Sequence, residues 1–208
     1  MRRTSVIIRA VFITAAMSAA CAGDIRPDNP DGGGPTAKLA VESNGDGTNT
    51  VTVNATDAVS WVYLDLAELA LVEPTDPATS ADWDLGLQRF HYALDGGVSG
   101  RGQGELVVLD GASLLDVNDA PTDGWVTDQP DDPEDTDELP EYAFEAAEGG
   151  WYDYDSTTHV LSPKSRVYVV RGADGSPFAL RILSYYDDLG SAAWPKFTVK
   201  PLREAAAP

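Results

Sequence analysis

The sequence predicts an all-β fold: a single antiparallel β domain with a C-terminal meander, an acidic loop insertion and little helix. Three observations lead there. Apolar and polar residues alternate with period two over much of the chain, as where Val51, Val53 and Ala55 are set between Thr50, Thr52 and Asn54. Residues suited to turns separate these runs, as in "RGADGSP" and "YYDDLGSAAWP". Helix is confined to two short stretches, near "SLLDV" and "EYAFEAA". A length of 208 residues suits one domain with tails. The formal net charge of -20 sets up a field that repels nucleic acid and anionic headgroups, which excludes a nucleic-acid partner.

From the N-terminus, residues 1–20 read as a lipoprotein signal peptide. Arg2 and Arg3 open it, "VIIRAVFITAAMSAA" is its apolar run, and the chain's only cysteine, Cys21, follows small residues. "SAAC" is similar to a lipobox, with Ser18 where leucine is usual. An ordinary cleavage site is the alternative, since "ACA" also has the small-x-small form. A lone cysteine in an oxidising compartment has no internal partner, which favours lipidation of Cys21. Acyl chains contribute about 0.8 kcal/mol per buried methylene, so two or more hold the chain to a membrane. The expected location is the cell envelope, as an outer-membrane lipoprotein facing periplasm or surface. Residues 21–36, rich in Pro, Gly and Asp, form a tether without apolar period. The β domain is expected over residues 37–203, and residues 204–208 are a tail.

Within the domain, Val62, Leu64 and Leu66 alternate with Trp61, Tyr63 and Asp65, the mark of a strand with one buried face. In "DWDLGLQRFHYAL" the apolar set changes phase between Trp83, Leu85, Leu87 and Phe90, Tyr92, Leu94, so a bulge is expected near Gln88 and Arg89. "GGVSGRGQG" (Gly96 to Gly104) follows. It lacks the Lys-Ser/Thr of a phosphate loop, and "GVSGR" has Arg101 where a nucleophile elbow needs glycine. No βαβ unit surrounds it, and hairpin chemistry is the simplest reading. "RVYVV", "PFALRIL" and "KFTVKPL" then supply the C-terminal meander.

Residues 116–155 contain no Lys or Arg and carry prolines at 121, 130, 133 and 140. The expectation is an acidic insertion, about 116–150, that is solvated, extended by like-charge repulsion and dispensable for folding unless Trp125 or Phe144 joins the core. Calcium is the functional alternative, but "DQPDDPEDTDE" has the charge without the glycine turn of a calcium loop. The two histidines, His91 and His159, stand in separate regions and cannot make a zinc site alone. His91 is expected to point away from the core in a structural or surface role. His159 lies in "STTHVLSPK", at the start of a strand pair.

The segments "DWDLGLQRFHYALDGGVSG", "WYDYDSTTHVLSPKSRVYVVRGADGSPFALRILSYYD" and "KFTVKPL" resemble the HmuY family of haem-binding bacterial lipoproteins. The resemblance covers most of the mature chain apart from the tether and the acidic insertion. It implies an all-β domain at the outer membrane that captures haem by axial ligation and passes it to a membrane receptor. The quoted motifs are those of the scaffold. Bis-histidine ligation is known in the family, and with Met1 and Met17 both in the signal peptide, His91, His159 or a tyrosinate such as Tyr185 or Tyr186 must supply the ligands. Basic residues gather late in the chain while acids cluster in the insertion, which places His159 as axial ligand with Lys164 or Arg166 near the propionates.

Three function classes follow. The first is putting haem binding and haem or iron acquisition on a membrane-anchored lipoprotein, with haem or a haemoprotein and an outer-membrane receptor as partners. The second is an acidic surface lipoprotein that binds calcium, glycan or a protein partner without haem. An enzyme has the least support, since no triad, metal cluster or distinct carboxylate pair stands out.

Overall fold

The computed structural model describes residues 37–134 and 139–204, and the signal peptide, Cys21 and the tether lie outside them. Twelve strands are described: β1 (Leu39–Ser43), β2 (Asn49–Val53), β3 (Val62–Asp65), β4 (Ala70–Val72), β5 (Leu85–Gln88), β6 (His91–Leu94), β7 (Glu105–Asp110), β8 (Tyr152–Asp155), β9 (Val160–Pro163), β10 (Arg166–Arg171), β11 (Pro177–Tyr186) and β12 (Ala192–Pro201). All strand pairs are antiparallel. A six-stranded sheet runs β1-β2-β12-β11-β10-β7, a four-stranded sheet runs β4-β3-β5-β6, and β8-β9 forms a separate hairpin. Among the described residues helix is limited to α1 (Ala143–Ala146) and 3-10 turns at Leu114–Asp116 and Ala147–Gly149, in or beside the two stretches the sequence marks. The fold class is all-β, as the sequence predicts.

The period-two pattern sets the core. Val51 and Val53 of β2, Leu64 of β3, Leu85 and Leu87 of β5, Tyr168 and Val170 of β10, and Phe197 and Val199 of β12 join one buried cluster that draws on both larger sheets. Each such side chain contributes about 1.5–3 kcal/mol by leaving water. The polar-side residues of β3 are covered as well. Trp61 and Tyr63 pack with buried Trp83, Ala93 and Tyr142 on the opposite face of the four-stranded sheet.

The structure corrects three expectations. Gln88 pairs with His91, so Arg89 and Phe90 form a two-residue hairpin turn where a bulge was expected, with Arg89 in the left-handed region at φ 52°. The phase change therefore marks two strands. The glycine-rich stretch is no hairpin either: it connects β6 of one sheet to β7 of the other and wraps Asp95. Gly102 N–H donates to Asp95 Oδ1 at 2.8 Å and Gly104 N–H to the Asp95 carbonyl at 2.7 Å. A Cβ at Gly100 would lie 2.0 Å from Asp95 Oδ1. Glycine is required there by packing, and no ligand is needed to explain it.

The third correction concerns the acidic insertion. Phe144 is 0% exposed and stacks between Tyr92 and Tyr168, and Ala143 beside it is in the main core. Trp151, at the end of the acidic stretch, is equally buried and donates its indole N–H to the Phe90 carbonyl at 3.0 Å. Asp128 is buried too, accepting the N–H groups of Leu94 and Ala143 at 2.9 and 2.8 Å. Trp125 lies over the Arg171 guanidinium at 4.0 Å. Aromatic side chains anchor a segment whose composition is dominated by charge, while residues 122–124, 129–134 and 153–155 are exposed as the sequence suggested.

Candidate functional site

Three of the buried carboxylates, with no cationic partner among the described residues, hold the loops that frame the domain. Asp84 accepts Leu66 N–H at 2.7 Å and Ala173 N–H at 2.8 Å, tying the ends of β3 and β10 together. Asp128 ties β6 to α1, and Asp95 organises the glycine loop. Burial raises all three above the usual carboxylate range, Asp128 to about 6, against the lowering effect of their backbone donors. Asp84 and Asp128 are loop staples satisfied by backbone N–H, whereas Asp95 uses Oδ1 in this way and its Oδ2 is buried with no hydrogen-bond partner among the described residues.

The two histidines occupy contrasting places. His91 opens β6 with its side chain 16% exposed, and Nδ1 lies 3.0 Å from Glu145 Oε1 of α1. Its ring is flanked by Phe90 at 4.1 Å and Tyr142 at 5.5 Å between centroids. This wedge ties the β5-β6 hairpin to the acidic segment, in line with a structural role for His91. His159 ends the loop between β8 and β9. Asp155 builds that loop by accepting Thr157 N–H and the Thr158 hydroxyl at 2.8 Å each, and His159 N–H closes it on the Asp155 carbonyl at 2.7 Å. His159 adopts φ 59°, the left-handed position where hairpin loops favour glycine. The residue is exposed, and its Nδ1 is hydrogen-bonded to the Tyr154 hydroxyl. Nε2 has no hydrogen-bond partner among the described residues. The two histidines sit on different elements and share no hydrogen-bond partner among the described residues.

The two cations proposed from the sequence converge on one turn. Arg166, 8% exposed, reaches the carbonyls of Glu148 and Gly150 at 3.2 Å each and pairs with Asp110 at 2.8 Å. Lys164 donates to the Gly149 carbonyl and lies 3.8 Å from Asp153. Arg166 is thus committed to backbone, and Lys164 is the more accessible charge on the hairpin. Of the tyrosines, Tyr185 is buried and desolvation raises its pKa, which disfavours a tyrosinate. The Tyr186 oxygen accepts Leu161 N–H at 2.9 Å and so docks the β8-β9 hairpin on β11.

Sequence reasoning named His159 but missed Tyr154, which becomes visible only through the register Tyr154↔Leu161 that folds the hairpin back on itself. A cavity of about 650 Å³ lies elsewhere, lined by Gln103, Glu105, Arg171, Asp174, Ser176 and Glu204 among others. No imidazole, thiol or phenol lines it, so it offers haem iron no ligand. Among the described residues no group of three or more His, Cys, Asp or Glu is placed to hold a metal ion, and no helix is long and apolar enough to cross a membrane.

The family model described as HmuY protein matches residues 57–198. The chain belongs to the HmuY family. Solved structures similar to it include a protein of Bacteroides fragilis assigned as a lipoprotein, at 20% identity and TM-score 0.58, covering 80% of this chain and 97% of that one. A Bacteroides vulgatus protein assigned as HmuY-like and haem-binding matches at 15% identity and TM-score 0.54, covering 78% and 96%. The haem-free HmuY analogue of Tannerella forsythia matches at 13% identity and TM-score 0.55, covering 80% and 97%. At these identities the likeness is one of fold. No curated protein matches the chain.

Haem is the group this family implies, and an exposed imidazole among the described residues has the chemistry to hold its iron. An exposed imidazole with one nitrogen engaged and the other without a partner has the donor chemistry that iron requires. When bound, haem would supply the iron and the propionate charges.

Proposed function

We propose that the protein is a haem-binding lipoprotein of the bacterial outer membrane, anchored through Cys21, that takes part in haem and iron acquisition by passing haem to a membrane receptor. It acts as a binding protein and not as an enzyme. Family membership supports the ligand class, and one observation carries the assignment of the site. A histidine occupies the left-handed position of an exposed hairpin loop, where an L side chain costs about 1–2 kcal/mol relative to a relaxed backbone. Leu69 takes the same backbone at φ 49° at the end of the β3-β4 loop, so the conformation belongs to the loop type, and it is the exposed imidazole it presents that supports the assignment. In this reading His159 would hold the haem iron through Nε2, Lys164 would supply positive charge for a propionate, and Arg166 would hold the turn behind it. His91 braces α1 through Glu145.

The test is haemin titration of the parent chain beside His159→Ala and His91→Ala, followed by absorbance and magnetic circular dichroism. Saturable binding with imidazole-ligated iron is expected in the parent and in His91→Ala, and its loss in His159→Ala. A single axial imidazole predicts a high-spin or mixed signature, whereas a sharp low-spin band would require a second strong ligand. Loss in His91→Ala alone would reverse the assignment. An unperturbed haemin spectrum with the parent would leave an acidic surface lipoprotein without haem. The anchor is tested separately: Cys21→Ser should move the protein from the membrane fraction to soluble material, and unchanged partitioning would contradict lipidation.

A further inference from the structure

Tyr154 stands five residues before His159, on the opposite strand of the β8-β9 hairpin, and its hydroxyl is bonded to His159 Nδ1. Tyr154 is 54% exposed, and its ring centroid lies 6.0 Å from that of the imidazole. The docking of the hairpin on β11 uses a different phenol, Tyr186, through Leu161 N–H. Tyr154 is therefore not needed to attach the hairpin, and its hydroxyl acts on the histidine.

A neutral imidazole carries one proton, and the nitrogen that binds a metal must be the other one. Which nitrogen is free is decided by the hydrogen bond that the first one makes. We infer that Tyr154 is a positioning residue for the haem ligand: its phenolic oxygen accepts a hydrogen bond from His159 Nδ1–H, which fixes the ring and presents the Nε2 lone pair to iron. The phenol can accept this bond while donating its own proton to solvent, since its side chain is largely exposed. The same bond limits rotation of an imidazole whose backbone is already fixed by the loop hydrogen bond to Asp155. The inference rests on the haem reading above and adds to it a tautomer and the group that sets it.

The experiment compares the full parent chain with Tyr154→Phe, which removes only the hydroxyl. Nitrogen chemical shifts of 15N-labelled histidine in the haem-free protein read the tautomer directly, and haemin titration reads the affinity. In the parent, the His159 proton resides on Nδ1. In Tyr154→Phe, population moves to the Nε2–H form and haemin affinity falls by about tenfold or more, the usual effect of losing a partner behind a metal-binding histidine. The thermal midpoint stays at the parental value, which separates positioning from a fold defect. Unchanged shifts, or unchanged affinity beside a parent that binds haemin, would overturn the inference and leave the haem reading standing. A parent that binds no haemin overturns the haem reading, and the ligand role of Tyr154 with it.

Discussion

The hairpin that carries His159 and the hairpin that carries His91 are built from the same kind of chain and put the same side chain to opposite uses. The β5-β6 hairpin is packed on both faces, with Leu85 and Leu87 toward the main core and Trp83 toward the second cluster. Its histidine is locked between two aromatic rings and a carboxylate. The β8-β9 hairpin is mostly exposed, held by Tyr152, Leu161 and the Tyr186 hydroxyl, and its histidine stands at the tip on a strained backbone. Where a side chain has every neighbour satisfied, its loss is a stability effect. Where it is exposed, oriented and strained, its loss is a binding effect.

The largest effect expected from breaking this contrast lies beneath the buried hairpin. Phe144→Ala should cost about 3–5 kcal/mol, because it empties a site between Tyr92 and Tyr168. A fall of that size in urea-unfolding stability would establish the acidic segment as part of the core. A change below about 1 kcal/mol would return it to the dispensable loop that composition suggests.

Next in size is a pH effect centred on Asp128. Its folded pKa of about 6 lies above the ordinary 3.8, so between these values the folded chain binds more protons than the unfolded one. Stability from this group therefore rises as pH falls from about 6 toward 4, and is lost as pH rises through 6. The full swing is about 3 kcal/mol. Asp84 and Asp95 shift in the same direction, while the exposed turn aspartates Asp46, Asp57 and Asp155 shift the opposite way. Unfolding measured across pH 4–6 should show a reduced slope in Asp128→Asn, and an unaltered slope would contradict the assignment.

Smaller still is the clasp itself. Glu145→Gln keeps the shape and removes the charge facing His91, and should lower stability by about 1 kcal/mol or less with haemin binding intact. Loss of haemin binding in that variant would erase the distinction between the two hairpins.

Much of the fold was readable in the sequence because alternation survives wherever one face of a strand is buried, as in β2 and the latter part of β12, while β10 and the start of β11 are apolar runs bounded by turn residues and buried on both faces. The β5-β6 turn was not, since Arg89 and Phe90 carry none of the residues that usually mark a tight turn. The acidic segment misled because charge dominates its composition while three or four aromatic and small residues decide its burial. At the site, His159 and Lys164 could be named from residue type and charge distribution. The left-handed backbone of His159 and its bond to Tyr154 depend on hairpin register, which one sequence does not display.

The most direct measurement is His159→Gly, read for stability and haemin binding in the same preparation. Glycine accepts the left-handed backbone without a side-chain clash, so the hairpin loses strain and the ligand together. The predicted result is a thermal midpoint at or above the parental value with haemin binding abolished. A variant that still gives the parental haemin spectrum would contradict the account.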